Sequence, residues 1–221
     1  MTKNILKQSK QILIIAVLTV SIASIYAQQK QVAPVNEKQV PRMSSQLKEF
    51  YRLTVQASAS FIFPKEFKEV KAPNDEDFSF DYAMELPGKG FEIWLLVKSE
   101  KDDWNNFVKA QAQNSDVLQA NPDSLYASMG SAQANAFTGE RNYLVRSISP
   151  DYLTAYNADV GKSYLLTLLD LPDTKHYKYA LMFTLQKFHT GTILAVCFTN
   201  DKGPEFFKNI NKVKNCLKFK S

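Results

Sequence analysis

The sequence predicts an α+β domain in which helices pack on a mostly antiparallel sheet. Large apolar residues alternate with polar or small ones over residues 78–86, which is the two-residue period of a strand. Residues 87–90, Pro-Gly-Lys-Gly, form a turn signal, and a second strand pattern over 91–97 makes the pair a hairpin. Another hairpin near the C terminus and a helical pattern over 121–139 complete the evidence, because hairpins separated by helices are typical of this fold class.

The first 27 residues have the pattern of a cleavable signal peptide. Three lysines and no acid precede an apolar run from Ile12 to Val20, and Ala27 stands before a polar stretch. We therefore expect cleavage after Ala27 and export to the periplasm or the medium. The alternative is an uncleaved membrane anchor, but this run is shorter than the about 20 apolar residues that span a bilayer. No stable membrane insertion is expected once the signal is removed.

The rest of the chain divides into a short linker and one domain. Residues 28–46 are rich in amides, charges and proline and contain almost no large apolar side chain, which predicts a disordered linker. Residues 47–221 are enough to bury one hydrophobic core and show no internal repeat, so we expect a single domain.

The mature chain is expected to carry little net charge. The complete sequence has 27 basic and 22 acidic residues, and the signal peptide contains three of the lysines and no acid. Removing the signal leaves 24 bases against 22 acids. No nucleic-acid partner is expected, because such partners require a clear excess of positive charge.

Strands are predicted to open the domain, and helices to cover them. The segment 57–63 has a strand pattern that ends at Pro64. The strand over 91–97 carries apolar residues on both of its faces, so elements should pack on both sides of the sheet. One helix is expected over 104–118, and another between an N-cap at Asn121 and a glycine cap at Gly139.

The second half of the domain is expected to add strands and a final helix. The predicted elements are strands over 141–148 and 163–169, a hairpin of 177–188 with 192–198, a helix over 204–214 and a closing segment over 216–219. Residues 189–191, His-Thr-Gly, are predicted to form the hairpin turn. Pairing Phe188 with Thr192 then places Cys197 opposite Phe183.

Two segments resemble PsbP-like proteins. The run from Ala59 to Val70, ASFIFPKEFKEV, is similar to the early strand of that family, in which an apolar strand leads into a proline and then an aromatic residue. The end of the chain, a long hairpin, a short helix and Leu217-Lys218-Phe219, is also similar. The resemblance implies an α–β–α sandwich and an exported protein with a non-catalytic assembly or binding role.

No catalytic, cofactor or metal site is predicted. The two histidines, His176 and His189, stand at opposite ends of one predicted strand, about 40 Å apart, and the predicted hairpin keeps Cys197 away from both. The sequence contains no Gly-x-Ser-x-Gly motif and no phosphate-binding glycine loop. Residues 75–77, Asp-Glu-Asp, suggest either a calcium site or a solvated loop, and the missing calcium-loop order favours the loop.

The segment 156–161 holds the candidate ligand-binding residues. Tyr156, Asn157 and Asp159 combine an aromatic ring, an amide and a carboxylate next to a turn glycine. We take these three as candidate ligand contacts. The alternative interpretation is a turn that starts the next strand.

Two cysteines remain in the mature chain, and their spacing permits a disulfide. Cys197 and Cys216 would close a loop of 19 residues, for which chain-entropy models give about 3 kcal/mol. An even number of cysteines in an exported chain favours a bridge. The alternative is a pair of free, buried thiols.

Together these features predict a non-catalytic binding or assembly module outside the cytoplasm. Its partner would be a protein or a small ligand in that compartment. The alternative is a secreted hydrolase that uses carboxylates whose pairing the sequence does not reveal. The two hypotheses differ in structure, since an enzyme needs convergent polar groups in a pocket and a protein-binding module needs an exposed apolar patch.

Overall fold

A computed structural model describes residues 43–113, 120–139 and 143–221. The predicted signal peptide over 1–27 and the linker residues 28–42 lie outside the described residues. Within the described part of the chain, every element belongs to one compact unit that begins at Met43.

The described residues form five α-helices and nine strands. The helices are α1 (Ser45–Gln56), α2 (Lys101–Ala112), α3 (Leu125–Thr138), α4 (Pro150–Tyr156) and α5 (Pro204–Val213), and a single 3₁₀ turn (Pro122–Ser124) precedes α3. The strands are β1 (Ala59–Phe61), β2 (Lys68–Val70), β3 (Tyr82–Leu86), β4 (Phe91–Ser99), β5 (Tyr143–Ser147), β6 (Val160–Thr167), β7 (Tyr179–Lys187), β8 (Gly191–Thr199) and β9 (Leu217–Phe219).

Seven of the strands form one antiparallel sheet in the order β2-β3-β4-β8-β7-β6-β5. β1 and β9 form a separate two-stranded antiparallel sheet. Every residue of β8 is buried, which places this strand at the centre of the domain. The predicted α+β fold with a mostly antiparallel sheet is confirmed.

Helices cover both faces of the large sheet. On the first face, Phe50 of α1 stacks on Tyr82 with ring centroids 4.9 Å apart, and Phe206 of α5 packs against Phe91. On the second face, Phe137 of α3 packs against Trp94 and Phe198. The two faces bury separate apolar clusters, so the domain has a layer of helices on each side of the sheet.

Two helices were missed by the sequence analysis. α1 begins after an N-cap in which Ser44 Oγ accepts a hydrogen bond from the Leu47 backbone N–H, two residues before the predicted domain start. Its interior contains Thr54 and Val55, and such β-branched residues weaken a helical signal. α4 has seven residues, too few to display a helical period, although Pro150 occupies its first turn as a starting proline often does.

The predicted register of the C-terminal hairpin was wrong by two residues. Lys187 pairs with Gly191, so Cys197 lies opposite Leu181 and not opposite Phe183. Gly191 is the first residue of β8. Glycine is required at this position, because a β-carbon there would come within 2.5 Å of the Lys98 carbonyl oxygen. The left-handed turn conformation is taken by His189, whose φ is +60°.

None of the helices in the described part of the chain is both long and apolar enough to cross a lipid bilayer.

Candidate binding site

A groove lies between α4 and α5 on the first face of the sheet. Its volume is about 340 Å³, near the lower end of the range for small-molecule sites. The residues that line it are Asp151, Tyr152, Ala155, Tyr156, Ile210, Asn211, Lys214 and Asn215. We refer to this feature as the α4–α5 groove.

Each wall of the α4–α5 groove is built from residues at helical spacing. Tyr152 and Tyr156 are four residues apart on α4, and Ile210 and Lys214 are four apart at the end of α5, so each pair lies on one side of its helix. Tyr152 is 67% exposed, whereas Tyr156 and Ile210 are half-buried. The groove therefore has an apolar interior and a charged rim.

The groove continues inward as a small apolar cavity in the core. This cavity shares Tyr156, Ile210 and Lys214 with the groove and is otherwise lined by residues of the first-face cluster, including Ile93, Phe183, Cys197 and Cys216. Its volume is about 20 Å³, so it holds no more than a small group unless a side chain moves. The Tyr156 ring stands between the groove and this cavity, 6.1 Å from the Phe183 ring.

Tyr156 is an uncharged hydroxyl under all physiological conditions. Burial, and then the nearby Cys197 and Cys216, raise its pKa to about 12. Lys214 forms no ion pair with any described residue and therefore offers a positive charge at the rim. The site can provide apolar contact, a neutral hydroxyl and one ammonium group.

Raised tyrosine pKa values predict a loss of stability at alkaline pH. Burial raises the pKa of Tyr156 and Tyr177 from 10.0 to about 12, so the folded state holds their protons more tightly than the unfolded state does. This contribution is fully present below pH 10 and is lost as pH rises towards about 12. Urea unfolding across this interval should show a falling free energy, and Tyr156→Phe should make the fall less steep. If the unfolding free energy of Tyr156→Phe falls with pH as steeply as that of the unaltered protein, the raised pKa of Tyr156 is contradicted.

Only one of the three predicted ligand residues lines the groove. Tyr156 lines the groove. Asn157 ends α4 with a φ of +51°, and its side-chain N–H donates a 2.5 Å hydrogen bond to the Lys220 carbonyl oxygen. Asp159 accepts a 2.7 Å hydrogen bond from the Phe188 backbone N–H. The structure thus uses Asn157 and Asp159 to hold neighbouring segments together and does not bring the three residues into one site.

The groove residues outside that segment were not foreseen. Tyr152, Ile210 and Lys214 become neighbours only because α4 packs beside α5, and α4 was not predicted. The sequence signal for α4 was Pro150 followed by two tyrosines four residues apart, which is typical of the start and one face of a helix.

Cys197 and Cys216 line the same inner cavity, and their sulfur atoms are not bonded to each other in the structure. Burial raises the pKa of Cys216 to about 12, and burial followed by the neighbouring Cys216 raises the pKa of Cys197 well above its ordinary value. Both thiols are therefore protonated and weakly nucleophilic. The disulfide between them stays a prediction.

Alkylation measures the state of these cysteines. The folded protein with free thiols should resist iodoacetamide at neutral pH, because the raised pKa values keep the buried Cys197 and the half-buried Cys216 protonated, and it should gain two adducts after denaturation. Mass spectrometry before and after denaturation gives the count. Rapid labelling of the folded chain contradicts the burial, and labelling that requires a reductant as well as denaturant establishes the disulfide.

Away from the groove, a cluster of polar side chains joins α2 to the β7–β8 turn. The His189 ring stacks on Trp104 at 3.7 Å, and His189 Nε2 lies 3.2 Å from Asp123 Oδ2. The other oxygen of Asp123 accepts a 2.7 Å hydrogen bond from the His189 backbone N–H. His189 is an exposed turn residue, as the sequence predicted, and these contacts fix the turn against the helix.

Buried polar side chains continue this cluster into the domain. Glu100 is 2% exposed and accepts 2.8 Å hydrogen bonds from Gln186 Nε2 and Thr192 Oγ1. The Thr192 hydroxyl also faces the side-chain oxygen of Gln186, so its single proton has two acceptors within reach. The carboxylate is thus used within the protein to tie the start of α2 to the central hairpin.

The acidic segment over 75–77 forms a local turn. Asp75 Oδ1 accepts hydrogen bonds from the backbone N–H groups of Asp77 and Phe78. Across the residues that the structure describes, no three of the histidine, cysteine, aspartate and glutamate side chains are grouped so as to hold a metal ion.

No protein-family model matches this sequence, and no curated protein is significantly similar to it. The resemblance to PsbP-like proteins therefore stays a prediction.

Proposed function

We propose that this chain is an exported, non-catalytic binding module whose α4–α5 groove takes small amphipathic anions. The observation that carries the proposal is the arrangement of the groove walls. The rings of Tyr152 and Tyr156 and the side chain of Ile210 form an apolar surface, and Lys214, without an ion pair among the described residues, stands at its rim.

The proposed ligand chemistry follows from this arrangement. A short aliphatic or aromatic body gains contact with the tyrosine rings and Ile210, and an anionic head pairs with the ammonium group of Lys214. Asn211 and Asn215 supply amide groups beside that cation. Asp151 adds one negative charge to the opposite wall, which favours a ligand with a single anionic group over a highly charged one.

A binding role fits the groove better than hydrolysis does. The buried carboxylates that a hydrolase would need are already engaged, since Glu92 contacts Trp94 Nε1 at 2.8 Å and Lys175 Nζ at 2.6 Å. Glu100 is engaged by Gln186 and Thr192. Neither glutamate lines the α4–α5 groove.

The export part of the proposal rests on the sequence of residues 1–27 and on the PsbP-like segments. N-terminal sequencing of the protein released from its source cells should begin at Gln28. A chain that keeps Met1 and sediments with membranes contradicts cleavage.

Calorimetric titration tests the ligand class. Octanoate should bind with a dissociation constant of about 0.1 mM, which corresponds to roughly 0.5 kcal/mol for each of its ten non-hydrogen atoms. Octanol has the same chain without the charge and should bind at least about tenfold more weakly. Equal binding of the two compounds contradicts the role of Lys214, and no binding of either contradicts the proposed function.

A further inference from the structure

The last strand of the large sheet, β5, has no partner strand on its outer side among the residues that the structure describes. It pairs with β6 on one side only, and it ends the strand order of the sheet. Leu144 is 65% exposed and Val145 is 48% exposed, so this edge combines apolar side chains with unpaired backbone. Proteins usually protect such edges, because an open strand pairs readily with another extended chain.

The register shows which backbone groups face outward. The Ile148 N–H donates to the Gly161 carbonyl at 3.0 Å, so alternate residues back along the strand, Arg146 and Leu144, direct their hydrogen bonds towards β6. The N–H and C=O groups of Tyr143, Val145 and Ser147 therefore point away from the sheet. They form a short ladder of donors and acceptors for one more strand.

A row of apolar side chains leads from the core to this edge. Cys197 pairs with Leu181, Leu181 with Leu165, and Leu165 with Leu144 across four neighbouring strands. Cys197 is buried, Leu181 and Leu165 are half-buried, and Leu144 is exposed. An added strand would extend the row and cover Leu144.

The edge is positively charged on both faces of the sheet. Arg146 lies on the same face as Leu144, and Lys162 lies on the opposite face, beside Ser147. Neither cation forms an ion pair with a described residue. Acidic side chains on an incoming strand would find one unpaired cation on each face.

We propose that β5 is a docking edge for an extended, acidic segment of a partner protein, which adds to the sheet as an eighth strand. The outward ladder of Tyr143, Val145 and Ser147 supplies main-chain hydrogen bonds. Leu144 and Val145 select apolar residues at two successive central positions, and Arg146 and Lys162 select acids at the flanks. This surface is separate from the α4–α5 groove and does not depend on the function proposed for it.

Fluorescence anisotropy with a labelled peptide tests the docking edge. The probe is the acetylated hexapeptide Glu-Glu-Val-Val-Glu-Glu. In either orientation its valines can lie opposite Leu144 and Val145 while acids lie opposite Arg146 and Ser147, the latter beside Lys162. It should bind the complete protein. Two further peptides carry N-methyl groups on the odd-numbered or on the even-numbered amides, and the one methylated on the amides that face β5 should not bind, because N-methylation removes the ladder donors. No binding of the unmodified peptide, or equal binding of both methylated peptides, overturns the proposal.

Variants of the chain separate the backbone contribution from the charge contribution. Val145→Pro removes an outward N–H at an edge position, where proline is tolerated, and should abolish binding. Arg146→Glu should weaken binding about tenfold. The matched control Lys65→Glu makes the same charge change at an exposed site outside the edge and should have no effect. If the Arg146→Glu protein binds the peptide as tightly as the unaltered protein does, the proposal is overturned.

Two further readouts identify the occupant. Sedimentation of the unaltered protein should show a monomer. A dimer that becomes monomeric in Val145→Pro overturns the peptide proposal, because the edge then holds a second copy of this chain. Peptide binding should persist in Lys214→Glu, because Lys214 lines the α4–α5 groove and the inner cavity and lies outside β5. The failure of one proposal can therefore be told apart from the failure of the other.

Discussion

Replacement of Glu100 by alanine is expected to lower the free energy of unfolding by about 3 kcal/mol. Glu100 is buried and accepts hydrogen bonds from Gln186 and Thr192, two side chains that are themselves buried. Alanine leaves the Gln186 amide and the Thr192 hydroxyl without this partner and opens a cavity where the carboxylate was. Urea unfolding of the two proteins measures the difference.

Glu100→Gln is the matched variant, and it should cost less than about 1 kcal/mol. Thr192 has one hydroxyl proton but faces two acceptor oxygens, those of Glu100 and Gln186. A glutamine at 100 can accept from Gln186 and donate to the Thr192 oxygen, which leaves the hydroxyl proton for Gln186. If the alanine variant is as stable as the glutamine variant, the cluster does not hold α2 to the hairpin as described.

Lys214→Glu is expected to weaken octanoate binding by about tenfold or more. The change removes the ammonium group without an ion pair at the groove rim and places a second acid near Asp151. A carboxylate ligand then meets repulsion where it would have been paired. Stability should change little, because Lys214 is exposed and directly follows the last turn of α5.

Lys208→Glu provides the control for that result. Lys208 lies on the same helix, is exposed and does not line the groove. Both variants replace a lysine by a glutamate, so they change the net charge of the protein equally. Its only described ion pair is a surface contact with Glu205, which contributes little. Equal loss of octanoate affinity in both variants means that the overall charge, and not the groove, attracts the ligand.

Local patterns predicted most of the fold. The alternation over 78–86 and 91–97 identified β3 and β4, and the capping residues Asn121 and Gly139 marked the ends of the segment that contains α3. Gly139 has a φ of +75°, the conformation for which a helix-ending glycine is selected. These features depend on residues within one turn or one strand of each other, so a single sequence displays them.

The site depends on contacts that a single sequence does not display. Ile210 and Lys214 meet Tyr152 and Tyr156 across more than fifty intervening residues, and the bond between Glu100 and Gln186 joins positions 86 apart. The register of β7 and β8 was missed for a similar reason. It depends on the close approach of Gly191 to the Lys98 carbonyl of another strand.

An amide-resolved NMR titration of the protein with octanoate tests the central claim most directly. Binding in the α4–α5 groove predicts chemical-shift changes centred on residues 150–156 and 210–216, with saturation at the calorimetric affinity and no comparable change at β5. Shifts spread evenly over the surface, or centred on Trp104 and His189, would contradict the assignment of the α4–α5 groove as the binding site.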